Sequence, residues 1–199
     1  MVKRIAITGG IGAGKSTVVE YLRESGFEAV DADEIYASLV APGERLLYSL
    51  VDAFGTAILN HDGSLDRVFL AAVVFHDETA LRRLNTVTHP VVGHKIRQYL
   101  DAAADRVVFC AIPLLRREHR LELSLDEVWS VQVEPSTAVQ RLVKYRDMSE
   151  YDARGRIASQ VDNDVRRELA DEVIWNEADP HALREHIDNL LSERGLTRG

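Results

Sequence analysis

One octapeptide constrains this chain more than any other feature: Gly9-Gly10-Ile11-Gly12-Ala13-Gly14-Lys15-Ser16. It matches G-x-x-x-x-G-K-[ST], and each fixed position has a physical task. Glycines let the backbone curl until its N–H groups converge on one point, and a following helix adds its positive N-terminal end. Such a loop holds phosphate oxygens, with Lys15 reaching the β- and γ-phosphates and the Ser16 hydroxyl suited to Mg²⁺. The context agrees. Ile5-Ala6-Ile7-Thr8 is a short β-branched run that predicts a strand. Lys15 to Ser25 places Val18, Val19 and Leu22 at helical spacing and stops at Gly26, predicting a helix.

Lys and Arg number 24 against 32 Asp and Glu in 199 residues, a net charge of −8. That length suits one domain, 1–199, with room for a small insertion. An acidic chain without a basic run lacks the diffuse positive field of nucleic-acid or anionic-membrane binders, so neither is expected as a partner. The one cysteine, Cys110, lies in an apolar run and reads as an inert core thiol. No secretory apolar segment precedes the glycine-rich stretch, and no apolar run approaches a membrane span, so the expected location is cytoplasmic. The sequence sets no oligomeric state.

Further strands are predicted at Phe27–Val30, Arg106–Ile112, Glu127–Val133 and Asp171–Trp175. Helices are predicted from Pro135 to about Tyr145, from about Ser149 to Gln160, and over Pro180–Arg194. Residues 34–104 read as helical, with breaks at Pro42-Gly43, at His61-Asp62-Gly63-Ser64, and at His89-Pro90, where proline restarts a helix. Alternating strands and helices imply an α/β doubly wound parallel sheet. The long helical stretch exceeds one crossover and reads as a helical subdomain that builds a substrate pocket.

Asp31-Ala32-Asp33 follows the second strand. If extended, it would point both carboxylates the same way, toward the glycine loop. There a carboxylate can accept the proton of an attacking hydroxyl or hold Mg²⁺, directly or through water; alternatively Asp33 caps a helix starting at Glu34. No N-K-x-D motif reads guanine, and no acidic residue ends the Val107–Ile112 strand as a motor ATPase would need. Arginines 141, 146, 154 and 156 flank a short break at Arg146-Asp147-Met148, a pattern suited to a lid over about 141–160. Arg141 and Arg146 are the first candidates to neutralise the transferred group.

These residues resemble the dephospho-CoA kinase family over essentially the whole chain. The likeness rests on Ile7 to Thr17, Asp31-Ala32-Asp33, Val40-Ala41-Pro42-Gly43, Asp62 to Arg67, His89-Pro90, Pro113-Leu114-Leu115, and Ala170 to Asn176. It implies a P-loop kinase that uses ATP with Mg²⁺ to phosphorylate the ribose 3′-hydroxyl of dephospho-CoA. By the same resemblance Asp33 is the base, and Lys15 and Arg141 complete the catalytic set. Gly10 to Thr17, with Arg146 and Asn176, bind ATP. Thr8, Asp33, His89, Pro90 and Leu114 face the acceptor, which the helices of 34–104 hold. Ser16 holds Mg²⁺, with Asp33 able to assist through water. Ala111, Arg117 and Ala178 stand where the family often carries an acidic residue, glutamate and glycine.

Overall fold

The computed structural model describes residues 2–75, 77–160 and 163–196. Five parallel strands form one sheet: β1 (Lys3–Gly9), β2 (Glu28–Asp31), β3 (Val107–Ala111), β4 (Glu127–Gln132) and β5 (Glu172–Trp175), in the order β2-β3-β1-β4-β5. β1 is central, with Ile5 beside Phe109 of β3 on one side and Glu127 of β4 on the other. Ile5 to Gly9 and all of β3 are buried, as a parallel sheet covered on both faces requires.

The helices are α1 (Lys15–Glu24), α2 (Ala32–Leu39), α3 (Arg45–Phe54), α4 (Arg67–Phe75), α5 (Glu78–Ala102), α6 (Arg117–Glu122), α7 (Pro135–Arg146), α8 (Glu150–Ala158), α9 (Asn163–Leu169) and α10 (Pro180–Glu193). The chain divides into two compact units, residues 1–31 with 100–199, and residues 32–99. In the first, Ile5, Ile7, Phe109, Trp129 and Ile174 of the sheet pack with Val18 and Leu22 of α1 and Ile187 of α10. The second has its own core, with Leu46, Leu47 and Leu50 of α3 against Ile58 and Leu70.

Several breaks fall where turn chemistry puts them. Asp62 accepts from the Ser64 N–H in the 61–64 turn, Ser149 caps α8 by accepting from the Asp152 N–H, and Asp179 caps α10. The expected break at His89-Pro90 is absent: α5 runs through Pro90 without interruption. Proline removes the bond to the Thr86 carbonyl, but Thr86 and Pro90 are both exposed, so water can take that acceptor. A second correction concerns Asp31-Ala32-Asp33, which is not one extended segment. Asp31 ends β2 and Ala32 already opens α2, so the same-face argument does not apply and Asp33 lies in the first turn of a helix. An acidic residue there is favoured by the helix dipole. α6 and α9, without long apolar periodicity, were not anticipated.

Candidate active site

The glycine loop leaves the C-terminal end of β1 and turns into α1. Two of its glycines are dictated by close approach. A Cβ on Gly9 would sit 2.6 Å from the Val131 carbonyl oxygen of β4. Gly14 has φ +95° and leaves only 2.2 Å between its missing Cβ and the Asn176 side-chain nitrogen. Among the described residues no side chain caps the N-terminus of α1, and its first turn carries no acidic residue. That arrangement leaves inward N–H groups and the dipole for an anionic ligand.

Lys15, in that first turn, is 9% exposed, and its ammonium meets the Asp31 carboxylate at 2.9 Å. Each side chain of the pair is 10% exposed. The Asp31 carboxylate therefore occupies the lysine that phosphate would engage. Ser16 and Thr17 are exposed at the start of α1.

Arg141 and Asn176 join the loop from other elements. Asn176, just past β5 and buried, donates its amide N–H to the Ala13 carbonyl at 2.8 Å. Arg141 of α7 donates to the Asn176 carbonyl at 2.7 Å and to the Gly12 carbonyl at 3.4 Å. The structure thus ties Arg141 to the glycine loop itself. Arg146 is exposed at the last position of α7, and Arg154 pairs with Glu150 within α8. Ile11 packs with Val139, Leu142 and Ala153, seating the loop on the α7–α8 pair.

Thr8 is buried at the end of β1, its hydroxyl donating to the Pro113 carbonyl at 3.4 Å, while Leu114 beyond it is exposed. Asp33 in α2, and His89 and Pro90, exposed on α5, belong to the second unit. Cys110 is buried in β3, which pushes its thiol up to about 12 and leaves no thiolate for chemistry.

Sequence reasoning missed three residues here. Gln160 accepts from the Ile11 N–H at 2.8 Å, and the buried Arg166 donates to both Gln160 and Asn163. With Gly10 and Ile11 they line a cavity of about 240 Å³ beside the loop. In the sequence Arg166 is one basic residue beside another, Arg167, and nothing in its spacing points to the loop.

A parallel β2-β3-β1-β4-β5 sheet with a lysine-bearing glycine loop at the end of its central strand defines a P-loop phosphotransferase of the small-molecule kinase type. Residues 3–181 match the family model CoaE, dephospho-CoA kinase. The chain belongs to that family. It is 42% identical over 191 residues to the dephospho-CoA kinase of Streptomyces avermitilis, covering 96% of this chain and 93% of the relative. To the Staphylococcus haemolyticus dephospho-CoA kinase it is 36% identical, covering 98% of each. A Thermus thermophilus crystal structure superposes with a TM-score of 0.83 at 31% identity, covering 98% of each chain. Shikimate kinase from Acinetobacter baumannii shares the fold, at 18% identity, a TM-score of 0.57 and coverage of 99% of this chain and 97% of that one.

Proposed function

We propose that this chain transfers the γ-phosphoryl group of ATP to the ribose 3′-hydroxyl of dephospho-CoA, giving coenzyme A and ADP, the last step of coenzyme A synthesis, in the cytoplasm. The observation that carries this is an uncapped α1 N-terminus with a buried lysine, in a chain matched along 96% of its length by dephospho-CoA kinases.

In this reading the loop N–H groups from Gly10 to Thr17 and the Lys15 ammonium grip the phosphates, and Lys15 leaves or shares its Asp31 partner to do so. Arg141, fixed by two backbone carbonyls, and Asn176 border the nucleotide beside Gly12 and Ala13, and Arg146 adds charge from the end of the α7–α8 lid. The helical unit holds dephospho-CoA and carries the acceptor candidates Asp33, His89 and Pro90; Thr8 and Leu114 are the acceptor candidates of the sheet unit. Asp33 accepts the proton of the 3′-hydroxyl as its oxygen attacks the γ-phosphorus. The bond from that phosphorus to the β–γ bridging oxygen breaks, and the electron pair leaves with ADP.

Mg²⁺ fits the residues present. The Ser16 hydroxyl is exposed at the uncapped helix start, and Mg²⁺ characteristically takes few protein ligands, with phosphate oxygens and water completing its shell. When bound, it would neutralise charge on the phosphates; Ser16 would hold it, with Asp33 assisting through water.

A coupled ADP-release assay tests the assignment with three arms: dephospho-CoA, shikimate and no acceptor. Release that requires dephospho-CoA is expected. Equal release in all three arms would make the protein an ATPase or a nucleotide switch, and release with shikimate alone would move it to the other kinase class.

A further inference from the structure

Helix α7 is capped from outside its own sequence. α8 and α10 bond backbone N–H groups of their first turns to their own N-cap side chains, Ser149 and Asp179. α7 has Glu134 at that position, and among the described residues the Glu134 side chain makes no capping bond. Instead Glu177, 43 positions on, accepts from the Glu134 backbone N–H with one carboxylate oxygen. With the other it accepts from the Thr137 hydroxyl at 2.7 Å. In a capping box a glutamate in the first turn of the helix makes the bond to the N-cap N–H. Here Thr137 occupies that place, and the carboxylate arrives from the turn after β5. Its charge suits the positive end of the α7 dipole.

A helix that needs only a cap can carry one locally, and a remote cap adds attachment to a particular neighbour. The neighbour of Glu177 is Asn176. The Asn176 backbone N–H donates to the Gln132 carbonyl at 2.9 Å, and its side chain donates to the Ala13 carbonyl of the glycine loop at 2.8 Å. Its own carbonyl accepts from Arg141 at 2.7 Å. Long side chains on a helix point back toward its N-terminus, so Arg141, further along α7, reaches the same turn that caps the start of α7. Residues 176 and 177 thus hold α7 at two places, and Asn176 holds the glycine loop as well. Without the Glu177 carboxylate the start of α7 is released from that turn, and the guanidinium loses its fixed distance to Gly12.

We propose that Glu177 is a positioning residue for the nucleotide: its carboxylate sets the start of α7 so that Arg141 stays seated on Asn176 and Gly12. This rests on the reading of the loop as an ATP site. Glu177 acts through Arg141 and touches no ligand itself.

The test is a double-mutant cycle read by ADP binding, which needs no acceptor and no turnover. ADP is titrated calorimetrically into wild type, Glu177→Ala, Arg141→Met and the double variant. Glu177→Ala should weaken ADP about fivefold, within the range of one lost hydrogen bond, and Arg141→Met about tenfold. Adding Glu177→Ala to Arg141→Met should change affinity by less than about twofold, because the two act as one unit. With dephospho-CoA, kcat/KM for ATP should fall about fivefold in Glu177→Ala while KM for dephospho-CoA stays within about twofold. Glu177→Gln keeps an oxygen for the Glu134 N–H and an amide N–H for the Thr137 oxygen, and should bind ADP within about twofold of wild type.

A lower melting temperature in Glu177→Ala with unchanged ADP affinity would overturn the proposal and leave Glu177 a helix cap. So would a Glu177→Ala loss of equal size with and without Arg141, wild-type ADP affinity in Arg141→Met, or a Gln variant as poor as Ala. Thr137→Val, which removes the other half of the contact, should repeat the Glu177→Ala result and serves if that variant does not fold. Wild-type protein that binds no nucleotide overturns this inference and the ATP reading together. Wild-type protein that binds ADP but does not phosphorylate dephospho-CoA removes only the acceptor, and the ADP cycle still decides the role of Glu177.

Discussion

Replacing Asp31 by Asn in the nucleotide-free protein removes the carboxylate that faces Lys15 across 2.9 Å, with both side chains 10% exposed. Breaking a buried pair from one side costs about 3–5 kcal/mol, because the remaining charge stays buried without compensation. A chain of this size loses about 2–4 °C per kcal/mol, so the melting temperature should drop by about 6–20 °C. Lys15→Met should cost a similar amount. The double replacement Lys15→Met with Asp31→Leu removes both charges and should cost no more than either single change, an interaction energy of about 3 kcal/mol. Nucleotide supplies a second check. In the wild type, ADP phosphates compete with Asp31 for the ammonium, whereas in Asp31→Asn they meet a lysine without its carboxylate. The melting-temperature rise on adding saturating ADP should therefore be larger in Asp31→Asn than in the wild type, and nearly absent in Lys15→Met. Additive single changes of under about 1 kcal/mol each would show that water already shields the pair. An ADP-induced rise no larger in Asp31→Asn than in the wild type would show that Asp31 does not compete for Lys15.

Asp33→Asn should fold and bind ATP normally but lose about 10²- to 10⁴-fold in kcat, the range for a general base; near-normal turnover removes Asp33 from that role. Gly14→Ala should abolish turnover and lower the melting temperature, since φ is +95° and the new Cβ would overlap the Asn176 amide; wild-type kinetics would refute the fit. Glu127 lies where burial would raise its carboxyl, but hydrogen bonds from Lys3, Trp129 and Arg194 outweigh that and hold it below the usual carboxylate range. A depressed carboxyl contributes stability above its unfolded value, near pH 4.3, and loses it as pH falls through the folded value. Glu127→Gln should therefore be less stable than wild type in urea at pH 7, with the gap closing toward pH 3; a constant gap would refute the linkage.

The glycine loop was legible because its signal is local: consecutive residues fix a turn, a helix start and a lysine, and a β-branched run before them fixes the strand. The Asp31-Ala32-Asp33 geometry was not, because strand period and helix start compete over a few residues and α2 begins at Ala32. Pro90 misled for a related reason. A helix tolerates proline where the orphaned carbonyl can reach water, and exposure is a tertiary property that sequence does not print. Arg141 and Arg166 show the other limit. Both were visible as residues, but only the fold reveals that Arg141 bonds Asn176 and that Arg166 reaches the loop through Gln160, whose partner Ile11 lies 149 positions away. A basic residue in a helix pattern reads as a solvated face, and long-range amide contacts leave no periodicity.

Under the proposed function, those placements bear on how a chain of net charge −8 would hold a triphosphate. The field that matters is local, since exposed charges more than about 8 Å away are largely screened at physiological salt while buried ones are screened much less. Lys15 and Arg166 are buried beside the glycine loop and Arg141 is half-buried against it, each fixed by a named partner before any nucleotide arrives. A preorganised cation costs no reorientation when the anion arrives. The partners differ in kind, which sets their response: Arg141 rests on two backbone carbonyls and can keep them, whereas Lys15 rests on a carboxylate with which the phosphates must compete. Binding energy is therefore spent at one contact, Lys15–Asp31, and salt should weaken ATP binding less than a surface cation cluster of equal charge would predict.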